Sequence, residues 1–330
     1  MSESEAGGST MEYSRMGNAG LKLSRISLGA WLTYGEQVDD RTATDILHAA
    51  YERGINFFDN ADVYAMGRAE EVMGKAIEKL PRESLVISSK VFWRTMEGPT
   101  GRGLSRKHIM ESCHASLKRL GTDRIDLYFC HRYDPETPLD EVVQAMSDLV
   151  RQGKVLYWGT SEWRASQIAH AYGLAWKRGL TPPAVEQPHY NMFVRRRVEE
   201  DLAPAADALG FGLVTWSPLR SGLLTGKYNQ GIPAGTRLDR HDWLRGVLTD
   251  ESIEKVRRLG KLATEIGITL PVLAIAWLLR LPQVTSVITG ASNMKQFEEN
   301  VNAIEAVEKL TPDVLEQIET ILDNKPVSED

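Results

Sequence analysis

Short apolar runs alternate along the chain with longer stretches whose apolar residues recur at helical spacing. The runs read as strands at Ile26–Trp31, Ile55–Asp59, Leu85–Val91, Ile125–Cys130, Val155–Thr160, Ala184–Gln187, Gly212–Trp216 and Thr285–Ile288. Between them, Thr42–Arg53 sets Ile46, Leu47, Ala50 and Tyr51 on one stripe. Ala69–Leu80 does the same with Val72, Met73, Ala76 and Ile77. Ser105 is a good N-cap for a helix that runs to Leu120 and stops at Gly121. Leu139–Arg151 stops at Gly153, and Arg164–Arg178 at Gly179. Later helices are expected at Val198–Leu209, Asp250–Ile266, Pro271–Leu281, Asn293–Ala303 and Thr311–Asp323. Ahead of the first unit, Glu12–Met16 and Leu21–Ser24 flank Gly17-Asn18-Ala19-Gly20, a β-hairpin pattern.

Eight β/α units joined by short links imply a parallel sheet, because each crossover returns the chain in the same direction. Eight strands close into a filled barrel, so the expected fold is α/β, a (β/α)8 TIM barrel with an N-terminal hairpin and extra helices. An open doubly wound sheet is the alternative. It needs a glycine fingerprint, and Gly98-Pro99-Thr100-Gly101-Arg102-Gly103 has the wrong order and no helix placed to receive a pyrophosphate. One barrel domain is expected over residues 11–326, with tails at 1–10 and 327–330. The first tail is acidic, rich in Ser and Gly, and expected to be disordered. Three connections exceed what linkage needs: Phe92–Leu104, His131–Pro138 and Ser217–Thr249. All leave C-terminal strand ends, the active face of such barrels, and the last reads as a functional loop of the lid type.

The 330-residue chain is 42% hydrophobic and 25% charged, ordinary for a globular protein. A net charge of −6 argues against nucleic acid and against a basic membrane-binding face. The two cysteines, Cys113 and Cys130, have no paired or metal-ligand spacing. A reducing, cytoplasmic setting follows, and no metal is expected. The longest apolar run, Pro271–Leu281, is broken by Arg280 and falls short of the ~20 residues a membrane span needs, so no membrane insertion is expected.

Candidate chemistry centres on Phe57-Phe58-Asp59-Asn60-Ala61-Asp62-Val63-Tyr64, where an apolar strand ends in acids, an amide and a phenol. Taken alone this is a strand followed by a polar turn. Lys90 and His131 stand at the mouths of the next two strands, and the four groups together form an acid–base assembly. A phenol with a pKa near 10 is a poor donor to an alkoxide unless tuned. An adjacent ammonium is expected to pull it toward neutrality, and a carboxylate to hold the ammonium in place. Each residue alone also has a plainer reading, Lys90 as a strand-end charge and His131 as a satisfied core or surface histidine.

Asp59, Tyr64, Lys90 and His131 resemble the catalytic tetrad of the aldo-keto reductases, NADPH-dependent barrel oxidoreductases. The resemblance runs from Glu12 to about Pro326. It is most specific toward the branch containing the β subunits of voltage-gated potassium channels. It is carried by Gly103-Leu-Ser-Arg-Lys-His-Ile109, Trp158-Gly-Thr-Ser161, Thr215-Trp-Ser-Pro-Leu219, Ser221-Gly-Leu-Leu-Thr-Gly-Lys-Tyr228, Leu273-Ala-Ile-Ala-Trp277, Gly290-Ala-Ser-Asn293 and Asn324-Lys-Pro326. It implies reduction of aldehydes, and some ketones, to alcohols by hydride transfer from NADPH. Tyr64 would be the proton donor, Lys90 and Asp59 its tuners, and His131 the residue orienting the carbonyl. Ser161 and Gln187 would hold the nicotinamide carboxamide, with Trp216 stacked on the ring. Ser217, Pro218, Leu219 and Ser221 would line the pyrophosphate side, and Lys227 and Arg237 would reach phosphates from the long loop. Gly290, Ser292, Gln296, Glu299 and Asn300 would hold the adenosine end, while Ala30, Trp31 and Gln37 complete the rim. The residues themselves agree in part. Gly290 to Asn293 precede a helix whose free N–H groups suit a phosphate, and two cations on the loop favour NADPH over NADH.

Two positions depart from the family. Glu162 follows Ser161 where many members carry Asn, which removes a second carboxamide bond. His131 replaces the Asn of mammalian channel β subunits, pointing to an ordinary reductase acting on a small-molecule carbonyl. The resemblance also carries a second reading, a cofactor-loaded regulatory subunit with slow redox chemistry, and it implies a homo-oligomer, a tetramer or smaller assembly. An isomerase or aldolase would need Lys90 as a Schiff base, for which nothing else speaks. Gly222-Leu-Leu-Thr-Gly-Lys227 is not a phosphate loop, having three residues between its glycines and Tyr228 after the lysine. Trp31 and Trp93 read as an apolar substrate mouth or as packing. Cys130, next to His131 in a strand, is expected to face the helix layer. Arg195-Arg196-Arg197 before Glu199, Glu200 and Asp201 reads as a solvated helix start, and Asp62 as an ordinary loop residue.

Overall fold

The structure, a computed structural model, describes residues 11–31 and 38–326; both tails and Gln37 lie outside the described residues. A hairpin of β1 (Tyr13–Arg15) and β2 (Lys22–Ser24) precedes the barrel strands. These are β3 (Ile26–Gly29), β4 (Phe57–Asp59), β5 (Val86–Val91), β6 (Ile125–Cys130), β7 (Val155–Ser161), β8 (Val185–Gln187), β9 (Gly212–Thr215) and β10 (Val284–Thr289). They pair in parallel, each with its neighbour in sequence, and β10 closes against β3. All eight strands fall within the runs read from hydrophobicity, to within one or two residues at each end. The barrel is the expected one.

Strand alternation divides the buried residues into two cores. Phe57, Leu127, Phe129, Val185 and Val214 fill the barrel, and Met16 and Leu23 of the hairpin pack into the same cluster. The hairpin turn is pressed close, since a Cβ on Gly17 would stand 2.3 Å from the Gly210 carbonyl oxygen. Phe58, Tyr128 and Cys130 point the other way, into the helix layer, as expected of Cys130. Fully burying a side chain of the Phe57 or Phe58 kind contributes roughly 1.5–3 kcal/mol.

The helices begin and end on local signals. Ser105 Oγ accepts from the His108 N–H, opening Arg106–Leu120, which ends where Gly121 takes a φ of 64°. The stretch expected as one helix from Val198 to Leu209 is instead a π-helical turn, Arg197–Leu202, followed by Ala203–Leu209. Pro204 supplies no N–H at the join, so regular bonding breaks there. Leu270–Leu279 is buried along its whole length as a core helix. Among the described residues no single helix is long and apolar enough to cross a membrane.

Two charged positions differ from expectation. Arg195 is buried, not solvated. It forms ion pairs with Glu199 at 2.8 Å and Glu319 at 2.6 Å and stacks over Trp277 at 5.0 Å. The C-terminal helix Pro312–Leu322 brings Glu319 to it, and nothing near Arg195 in sequence announces that partner. Asp62 is likewise buried. Ser112 Oγ donates to it at 2.6 Å, and burial raises its carboxyl to about 7.

Glu186, on β8, is pushed up to about 8, chiefly by burial, against the partial relief of hydrogen bonds from Thr160 and Trp163. A carboxyl whose folded pKa exceeds its unfolded value stabilises the fold fully below the unfolded value. That contribution is lost as pH rises through the folded value. For Glu186 the window runs from the ordinary value near 4 up to about 8. Glu186→Gln is therefore expected to unfold much like wild type at pH 5. Its advantage should widen steadily to pH 8, by a few kcal/mol in order of magnitude. Denaturation curves that stay parallel across this range would show an ordinary carboxylate at this position.

Candidate active site

The C-terminal ends of the strands open into one cavity of about 970 Å³. Six of the seven described non-glycine residues with positive φ lie in loops at that end: Ala65, Met66, Glu162, Ser217, Arg220 and Ser221. Such conformations cost of order 1–3 kcal/mol each and gather where a structure holds side chains for a task.

Asp59 ends β4, and Lys90 lies one residue before the end of β5, directly alongside. Lys90 is fully buried beneath the cavity floor and is not part of its wall. Its ammonium donates to Asp59 Oδ2 at 2.6 Å and to the Asn60 carbonyl at 2.7 Å, and it lies 3.1 Å from Tyr64 Oη. Asp59 Oδ1 accepts from Ser88 Oγ at 2.7 Å and from Gln187 Nε2 at 2.9 Å, so both its oxygens are engaged. Burial works against the ammonium, but Asp59 and Tyr64 outweigh it and raise its pKa. Lys90 stays charged.

Tyr64 departs from the expected tuning. Burial raises its pKa above the ordinary value, and the Lys90 charge offsets that only in part. The phenol is therefore protonated across the neutral range, poised as a donor. His131 follows β6, lines the cavity, and lies edge-on to Tyr64 at 5.9 Å and to Trp93 at 6.3 Å. Burial, joined by the charges of Lys90 and Arg132, drives its pKa well down, so the imidazole is neutral. Its Nδ1 has no partner among the described residues.

Trp216 stands across the cavity. One face stacks on His189 at 4.4 Å, and Trp31 meets it edge-on at 5.6 Å. Its indole N–H donates to Glu162 at 3.0 Å, and Glu162 also accepts from the His189 amide and pairs with Arg197 at 3.0 Å. Glu162 thus turns away from the cavity and anchors the Trp216–His189 stack, a role its position in sequence did not signal. Ser161 Oγ donates to the Gln187 carbonyl at 2.9 Å. With that proton committed, Ser161 Oγ is left to accept, while Gln187 keeps its amide oxygen and its second N–H, a set that can meet both the NH₂ and the C=O of a carboxamide.

The long loop folds over the far side. Gly222 takes a φ of 90°, which favours glycine, and a Cβ there would come within 2.7 Å of Lys227 Nζ, so the ammonium reaches the cavity across the glycine. Partial desolvation lowers the pKa of Lys227, as does the charge of Arg237; desolvation lowers that of Arg237 as well. Neither pairs with a carboxylate among the described residues, while Arg237 lies 5.5 Å over Trp31 and Lys227 lies 5.1 Å over Tyr228. Lys227 is exposed and Arg237 half-buried on the cavity wall, and two neighbouring like charges repel each other until an anion joins them. Gly290, Ser292, Gln296, Glu299 and Asn300 gather at one end of the same cavity. There Ser292 donates to Gln296, and Asn300 to the Gly290 carbonyl.

Ser217, Pro218, Leu219 and Ser221 also line the wall, as do Trp31 and Trp93. Ala30 does not: it is buried, donating its N–H to Asp59, and Gly29 lines the cavity there. Lining residues not foreseen include Arg132, Thr225 and Trp243. For Arg132 a signal existed, its place directly after His131 at a strand mouth.

A model of the aldo/keto reductase family matches residues 25–323. The chain is 49% identical over 322 residues to a probable voltage-gated potassium channel subunit beta of Arabidopsis thaliana, covering 96% of this chain and 98% of the relative. A protein of the same description from Oryza sativa subsp. japonica is 46% identical over the same shares. A putative voltage-gated potassium channel subunit beta of Schizosaccharomyces pombe is 47% identical, over 94% of this chain and 93% of the relative. With the family match spanning the whole barrel and the likeness running nearly end to end, the chain belongs to the aldo/keto reductase family.

Proposed function

We propose that this protein reduces aldehydes, and some ketones, with NADPH. The observation that carries the reading is a protonated phenol on the floor of the cavity, backed by a buried ammonium–carboxylate pair. The residues present fit the cofactor: unpaired cations for phosphates, acceptors for a carboxamide and an indole face for a ring. Lys227 and Arg237 would hold phosphates, Ser161 and Gln187 the carboxamide, and Gln296, Glu299 and Asn300 the adenosine end. When bound, NADPH supplies the hydride that reduces the carbonyl carbon.

The chain's own part is to place and protonate the oxygen. A carbonyl oxygen at Tyr64 Oη meets a neutral donor, with neutral His131 beside it as a second polar contact. As negative charge grows on the oxygen, the phenolic proton moves to it. An alkoxide is far more basic than a phenolate, so the step runs downhill even from a raised pKa. The ammonium of Lys90 then lies 3.1 Å from the new phenolate, and Asp59 keeps that ammonium in place. No proton need leave Lys90.

Consumption of NADPH with a panel of aldehydes tests the reading directly. Arg237→Ala is expected to weaken NADPH about 10- to 100-fold, the scale of one charge-assisted bond, with NADH almost unaffected. Fluorescence titration of both nucleotides checks this, and equal weakening would remove Arg237 from the phosphate that distinguishes them. The relatives are named as channel subunits, which motivates a second reading, a cofactor-loaded regulatory subunit. It predicts tight NADPH binding with negligible aldehyde turnover.

A further inference from the structure

Arg132 stands apart from the cations assigned to the cofactor. It lines the cavity together with Tyr64, Trp93 and His131, and is delivered by the same loop as His131. Among the described residues its hydrogen bond goes to the His131 carbonyl at 2.5 Å, and its guanidinium lies 5.6 Å over the Trp93 ring. It forms no ion pair there. The nearby Glu162 is already committed to Arg197, Trp216 and the His189 amide. Burial lowers the pKa of Arg132, and the charges of Glu162, Tyr64 and Glu186 offset that only in part. The guanidinium stays charged at any ordinary pH.

The positions belong to one wall. Trp93 lies 6.3 Å from His131, His131 lies 5.9 Å from Tyr64, and the charges of Arg132 and Tyr64 act on each other, so the cation faces the same space as the proton donor. Arg102, outside the cavity wall, lies 5.6 Å from the same Trp93 ring, so a second cation flanks it among the described residues. A guanidinium offers five donors in a planar fork, four of them left over here, and the fork matches a carboxylate with two parallel bonds.

We infer that the site is built for carbonyl compounds carrying a carboxylate a short chain away from the reacting carbon, with Arg132 holding that group. Arg132 is then a specificity-determining residue, and the inference rests on the reductase reading of the same site.

The test compares oxo-carboxylates of increasing chain length, from glyoxylate upward, with their methyl esters. Wild type, Arg132→Gln and Arg132→Lys are assayed with NADPH, and equal melting temperatures show that the variants fold. At the best chain length the acid is expected to exceed its ester in kcat/KM by about 10- to 100-fold, the scale of a charge-assisted pair. Arg132→Gln should erase that ratio through KM while leaving the ester within a few-fold of wild type, and Arg132→Lys should keep part of it. Acids no better than esters in wild type, or an equal loss for both in Arg132→Gln, would overturn the inference. If no compound consumes NADPH, the reductase reading fails and calorimetry decides the carboxylate site separately. Butanoate binding to wild type loaded with NADP⁺, lost in Arg132→Gln, upholds it; equal or absent binding overturns it.

Discussion

Tyr64→Phe is expected to lose carbonyl reduction by roughly 10²- to 10⁴-fold in kcat, the usual yield of a positioned acid, while binding NADPH like wild type. The hydroxyl touches one described protein group, the Lys90 ammonium at 3.1 Å. Removing it leaves Lys90 bonded to Asp59 and to the Asn60 carbonyl, so no buried charge is stranded. The ring keeps its edge contact with His131. Fold and cofactor site should therefore survive, and the loss should appear in kcat. Turnover within about 10-fold of wild type would show that the proton comes from elsewhere. Loss of NADPH binding would show instead that the phenol holds the pocket together.

Lys90→Met carries the second large effect, and it divides between stability and catalysis. Asp59 and Lys90 are 3% and 0% exposed. Removing the cation strands a buried carboxylate that Ser88 and Gln187 satisfy with neutral donors only. Breaking such a pair from one side costs about 3–5 kcal/mol, whereas replacing both partners is often close to neutral. The single variant is thus expected to be markedly less stable and inactive. Asp59→Asn combined with Lys90→Met should regain most of the stability and remain inactive, because nothing then stabilises a phenolate at Tyr64. Urea denaturation with turnover assays on both variants resolves the two effects. A single variant as stable as wild type would mean that the pair is not ionised. An active double variant would remove the ammonium from the chemistry.

The barrel was legible because each strand is an apolar run of strand length, bounded by helices of plain 3.6 period and closed by caps such as Ser105 and Gly121. Once the strand ends were placed, Asp59, Lys90 and His131 fell on adjacent mouths by simple parallel pairing. Family resemblance supplied the cofactor wall. What sequence did not disclose depends on partners brought in from afar. Arg195 meets Glu319 across 124 residues, and so a residue that reads as solvated is buried. Asp62 disappears beneath a helix through Ser112. Glu162, expected to matter only as a missing amide, instead fixes the indole of Trp216. The Tyr64 pKa depends on burial against one ammonium, a balance that residue identity alone cannot set. Arg132 sits beside His131 in sequence, but its lack of a counter-ion among the described residues is a three-dimensional fact.

The most direct test of the central claim is NADPH consumption by purified wild-type protein offered a panel of aldehydes, with the alcohol product quantified. A catalytic reductase is expected to form one alcohol per NADPH over many turnovers, at rates proportional to protein and absent in Tyr64→Phe. Wild-type protein that binds NADPH yet turns over no aldehyde in the panel would contradict that claim.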